Sequence, residues 1–214
     1  MTATLWLLAV QGTLGAFDTA YFHEWRARLP VRPEMRTELA LHAPRSVIYG
    51  IVFCSLPWIA WTGAAGVLLA VLLVAEAVIT FTDFVVEDRV RTSLGGVFPG
   101  ERVMHGLMAV VYGAFLAVFA PVLGGWISTG GSEPGATGPT LLLVALTTLG
   151  VGSLLSGLRD ALVACGCHGA AWPWRPEGPG SVVAAPLRPA VPGVAVAVGV
   201  LAVLVAAFRP RARS

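Results

Sequence analysis

Apolar residues run in long, nearly unbroken stretches along this chain, and polar residues collect between them. A run of about 20 apolar residues matches the thickness of a bilayer core. Five segments qualify on this pattern: 3–25, 40–62, 64–86, 103–127 and 139–164. A sixth, 190–208, is rich in Val, Ala and Gly and just long enough. Only a short turn at 62–63 separates the second and third, which makes them antiparallel neighbours. The stretch 128–139 is dense in Gly, Ser and Pro and reads as a loop, while 166–189, with Trp172, Pro173, Trp174 and Pro176, reads as an interfacial or irregular linker. The first residues lack the basic region of a cleavable leader, so the first stretch is read as a retained helix.

Composition agrees with that pattern. Hydrophobic residues make up 56% of the chain and charged residues 12%, with a mean hydropathy of +0.78. A soluble domain carries about 25% charged residues, so this chain lacks the polar surface to remain in water. A net charge of +2 gives no reason to expect nucleic acid as a partner. Cys54, Cys165 and Cys167 make an odd number and imply no disulfide framework. All the basic residues are Arg, and their positions set an orientation. Arg26, Arg28, Arg32 and Arg36, then Arg89, Arg91 and Arg102, then Arg159, Arg175 and Arg188 flank alternate ends of the spans. These regions fall on one side, expected to be the cytoplasmic face of a bacterial inner membrane. With six spans, Arg209, Arg211 and Arg213 lie on the other side, against the rule.

A repeat carries the chemistry. Glu24 and Glu87, Glu38 and Glu101, and His42 and His105 are each 63 apart (87−24, 101−38, 105−42), and so are Arg26 and Arg89, Arg28 and Arg91, Tyr49 and Tyr112, and Gly50 and Gly113. Four His and three Tyr in the whole chain make this register hard to obtain by chance. The fold class predicted is therefore an all-α integral membrane protein. Residues 1–127 form an up-down four-helix bundle built from a duplicated helical hairpin, and 128–214 form a C-terminal membrane region with one or two further spans.

Glu38 and His42, like Glu101 and His105, are four apart, so each pair shares one helix face. Glu24 and Glu87 lie at the ends of the partner helices. Assembly of the two hairpins is expected to bring four carboxylates and two imidazoles to one depth. Such a cluster repels itself in a low dielectric, and divalent cations relieve the repulsion. The set resembles the ferritin-like di-iron carboxylate pattern, in which two helices give one Glu each and two give a Glu with a His. The resemblance covers about residues 17–113 and departs from the pattern in its Glu-to-His spacing of four rather than three. It implies two divalent metal ions, iron foremost with manganese or zinc as alternatives, held by Glu24, Glu38, His42, Glu87, Glu101 and His105. Asp83, Asp88, His23 and Arg45 are placed around these ligands, with the two Asp orienting the histidines. Tyr49 and Tyr112 lie deeper on the same faces, toward a substrate.

The function this implies is an oxidoreductase acting on membrane lipid or another hydrophobic small molecule, supplied by an electron donor; the oligomeric state is left open. Two other readings compete. Glu76, Thr80, Asp83 and Glu87 form a polar stripe suited to a divalent-metal transporter, and ion pairing of the Glu residues with nearby Arg gives a non-catalytic scaffold with a structural metal or salt-bridge core.

Overall fold

The computed structural model describes residues 1–129 and 138–174. The proposed span 190–208 and most of the linker before it lie outside the described residues. The described chain consists of helices joined by short turns, without strands. Helix α1 runs Thr2–Asp18 and continues as a π-helix over Thr19–Ala27; α2 is Arg36–Ser55, α3 Ala64–Val90, α4 Pro99–Ser128 and α5 Thr140–Ala164. The 63-residue register extends to the element boundaries. The π-segment and α3 end at Ala27 and Val90 (90−27 = 63), and α2 and α4 begin at Arg36 and Pro99 (99−36 = 63).

Three helical stretches, Ala64–Leu94, Pro99–Ser128 and Thr140–Ala164, are long and apolar enough to cross a membrane. The first two helices depart from the expected spans. The 17-residue α1 gives way to the more polar π-segment, and α2 stops at Ser55 instead of reaching 62. Beyond Ser55 the sequence Leu-Pro-Trp enters a turn, since proline at 57 cannot continue the ladder.

Burial is arranged inside out. Along α3 the exposed large apolar residues are Val67, Val71, Val74, Val78, Phe81 and Val85, at alternating spacings of four and three. The opposite face buries Leu69, Leu72, Leu73, Ile79 and also Glu76, Asp83 and Glu87. An outer face of Val and Phe over a charged interior suits hydrocarbon as the surrounding solvent.

Helix α1 packs on α4, α2 on α3, α3 on α4, and α5 lies along both α2 and α1. Close approach of α2 and α5 depends on glycine. A Cβ on Gly150 would stand 2.5 Å from Cys54 Sγ, and one on Gly157 2.9 Å from the Ala43 carbonyl oxygen. The Ser153 hydroxyl donates to the Ser46 carbonyl at 2.8 Å between them. Small residues on one face are how helices pack closely without a hydrophobic drive from water. Gly150→Val is expected to lower the melting temperature in detergent, with overpacking costing about 1–3 kcal/mol. Gly152→Val, whose Cβ meets nothing within 4 Å, is the control that leaves it unchanged.

Two apolar clusters result. The larger fills one half of the bundle with residues such as Leu5, Leu8, Leu69, Leu72, Phe115, Phe119 and Leu146. The smaller, Ala27, Leu29, Met35, Leu39, Val163, Ala164 and Ala171, caps the other end. The buried charges lie between them.

Candidate metal centre

Elements meeting at that end are the C-terminal parts of α1, α3 and α5 and the N-terminal parts of α2 and α4. Each of the first four helices contributes there. From α1 and its π-segment come Asp18 and His23, from α2 Glu38, His42 and Arg45, from α3 Asp83 and Glu87, and from α4 Glu101 and His105. Arg91, in the turn after α3, reaches into the middle. Apart from the partly exposed Arg45, all of these are buried, Glu38, Arg91 and Glu101 completely.

Arg91 organises the centre. Its Nε donates to Glu38 Oε2 at 3.1 Å and its Nη2 to Glu38 Oε1, a bidentate clamp, while Nη1 donates to Glu101 Oε1 at 2.5 Å. The two repeat-related carboxylates are thus joined through one guanidinium, whose planar fork suits this geometry. Its repeat partner Arg28 instead lies over the Trp174 ring, 4.9 Å from the centroid.

Each repeat histidine reaches across to an aspartate of the other hairpin. His42 Nε2 is 3.0 Å from Asp83 Oδ2, which also accepts from Arg45 Nη1 at 2.9 Å. His105 Nε2 is 3.5 Å from Asp18 Oδ2, and its Nδ1 is 3.3 Å from Glu87 Oε1. His23 stands between the halves. Its ring stacks on His42, with centroids 4.7 Å apart, and its Nε2 lies 3.3 Å from Asp18 Oδ2 and 3.2 Å from Glu101 Oε1. Neither approach has hydrogen-bond geometry, so His23 Nε2 is a buried nitrogen without a hydrogen-bond partner, as are Asp18 Oδ1, Glu87 Oε2 and Glu101 Oε2.

Two groups have donor atoms mutually within 4.8 Å: Asp18, His23, Glu101 and His105, and separately His23, Glu38 and His42. Either can hold a metal ion. Glu38, His42, Glu101 and His105, the paired residues of the repeat, are all in these groups. Glu87 Oε1 stands 3.3 Å from His105 Nδ1, the side from which carboxylates orient metal-ligating imidazoles. Glu24 lies apart, where Arg159 donates to it from α5 and Trp174 Nε1 donates at 2.8 Å. Asp88 is outside as well, paired with Arg102 at the surface (2.9 Å).

The π-segment accounts for the unequal placing of Glu24 and Glu87. In an α-helix, residues five apart sit about 140° from each other, so Asp18 and His23 would face different ways. The i→i+5 bonding of a π-helix brings such a pair onto one side. His23 thereby turns inward and Glu24 outward, whereas α3 stays α-helical and keeps Glu87 on the face of Asp83. Asp18 and His23 have no repeat partners, so the register gave no reason to rank them with the ligands. A spacing of five is no signal on α-helical periodicity, and only the π-segment makes it one.

Tyr49 and Tyr112 meet deeper in the bundle, with ring centroids 6.0 Å apart in an edge arrangement. Tyr49 accepts from Gln11 Nε2 and Tyr112 donates to the Leu73 carbonyl, each at 3.3 Å. Glu76, on the same inner face, accepts from Thr80 at 2.7 Å and leaves its other oxygen without a hydrogen-bond partner.

The class defined by fold and site is an all-α protein with membrane-competent helices and a buried carboxylate–imidazole group able to hold a metal ion. No protein-family model, curated protein or solved structure matches the chain.

Proposed function

We propose that the chain is a membrane-embedded metalloprotein whose ion is held by Asp18, His23, Glu101 and His105 and serves redox chemistry on a hydrophobic molecule. The supporting observation is that four donors, two from α1 with its π-segment and two from α4, converge with buried polar atoms left unsatisfied. Leaving such atoms bare costs about 1–3 kcal/mol each, and an ion removes that cost. Two carboxylates with two imidazoles suit iron or manganese as well as zinc.

The charges agree with a bound cation. Five carboxylates (Asp18, Glu38, Asp83, Glu87, Glu101) face two guanidiniums (Arg45, Arg91), leaving 5−2 = 3 negative charges while the imidazoles are neutral. One divalent ion with a proton on His42 brings the total to zero; a hydroxide-bridged ion pair does the same. The geometry favours the single ion. Both groups include His23, and Arg91 already occupies Glu38. A pair of ions, as the ferritin-like pattern implies, requires Arg91 to withdraw.

Redox is preferred to transport because the polar stripe is a dead end. It runs from Glu87 to Glu76, eleven residues or about 16 Å. Beyond it the bundle is filled by Leu5, Leu8, Leu69, Leu72, Phe115 and Phe119. Tyr49 and Tyr112 lie between the ion and this apolar half, seven residues or about 10 Å below the histidines. There they can bind or orient a hydrophobic substrate and carry a proton or an electron.

The test is tag-free protein in lipid vesicles, loaded anaerobically with Fe²⁺ and then offered a lipid-soluble quinone. Appearance of a ferric electron paramagnetic resonance signal, slowed in Tyr49→Phe and Tyr112→Phe, supports the reading. Passage of iron into the lumen without oxidation supports the transporter instead.

A further inference from the structure

One cavity opens beside the centre, between the π-segment, α2 and α5. His23 and His42 line its inner side, with Thr19, Ser46 and Ser156 around them. Asp160 of α5 also lines it. This carboxylate is 6% exposed and, among the described residues, makes no hydrogen bond or ion pair. The contrast with Glu24 in the same wall is informative, because Glu24 is held by Arg159 and Trp174. Arg45, the cation in the lining, is engaged by Asp83. Removing an ion from water costs several kcal/mol unless something compensates it. Asp160 and His23 line one polar recess, too small for an organic molecule and suited to a partly hydrated cation.

We propose that Asp160 is the entry ligand for the buried centre: it takes a divalent cation arriving through this cavity and passes it to His23. This rests on the metal-centre reading above and deepens it. An entry ligand lowers the barrier in both directions and leaves the equilibrium unchanged. It is a positioning residue with a kinetic signature.

The experiment follows Mn²⁺ binding to the full chain in detergent by loss of the six-line aqueous resonance signal, and Mn²⁺ release after excess chelator. In Asp160→Asn, loading and release are both expected to slow at least about tenfold, equivalent to roughly 1.4 kcal/mol in the barrier. Final occupancy and Kd should match the wild type, and Asp160→Glu should restore the fast rates. Unchanged rates in Asp160→Asn overturn the entry role. So does a lowered affinity, which would make Asp160 a resident ligand. Failure of the wild-type protein to bind Mn²⁺ at all overturns the metal centre itself and the entry role with it.

Discussion

Arg91→Gln is expected to destabilise the apo protein by about 3–5 kcal/mol, because removing one partner of a buried ion pair leaves uncompensated charge. Here the loss is double, since one guanidinium serves both Glu38 and Glu101. Millimolar Mn²⁺ is expected to recover most of that loss by occupying the vacated position between Glu38 and His42, and the bound metal should rise from one ion toward two per chain. Arg91→Lys should recover only part, since an ammonium cannot make the bidentate clamp and reach Glu101 together. Thermal unfolding in detergent, with and without Mn²⁺, measures this directly. A destabilised variant that added cation fails to rescue would identify the core as a pure ion-pair scaffold.

His23→Ala carries the second large effect. His23 belongs to both donor groups, so its loss should weaken Mn²⁺ binding by more than about 100-fold, beyond what loss of a supporting residue does. Glu24→Gln, which changes only the pair with Arg159, should leave metal affinity close to the wild type. His105→Ala is expected to cost more affinity than His42→Ala, because His105 belongs to the four-donor group and His42 is held by Asp83. Competitive titration against a chelator of known affinity separates these cases. Equal effects of His42→Ala and His105→Ala would restore the symmetrical reading that the repeat alone suggests.

Much of this architecture was legible in the chain. Hydropathy located the helices because lipid-facing residues such as Val71, Val78 and Val85 must be apolar whatever their neighbours do. The 63-residue register singled out Glu38, His42, Glu101 and His105, which fall in the two buried donor groups, because matched positions on α2 and α4 come to one depth. Three features escaped it. The π-segment follows no periodicity that α-helical spacing reveals, so the inward turn of His23 and the outward turn of Glu24 could not be read. Arg91 resembled an interfacial charge, because its matched position Arg28 gave no hint that only one of the two would enter the core. Helix α5 read as an accessory span, yet its glycines bring it against α2 and carry Arg159 and Asp160 to the edge of the centre.

The most direct test of a metal held between the hairpins is elemental counting. Protein purified without a histidine tag, in mild detergent with Mn²⁺ or Fe²⁺ present and excess ion removed, should retain close to one ion per chain. His23→Ala should retain none while keeping its helical circular dichroism. Wild-type protein emerging metal-free, or His23→Ala retaining the full complement, would contradict the account.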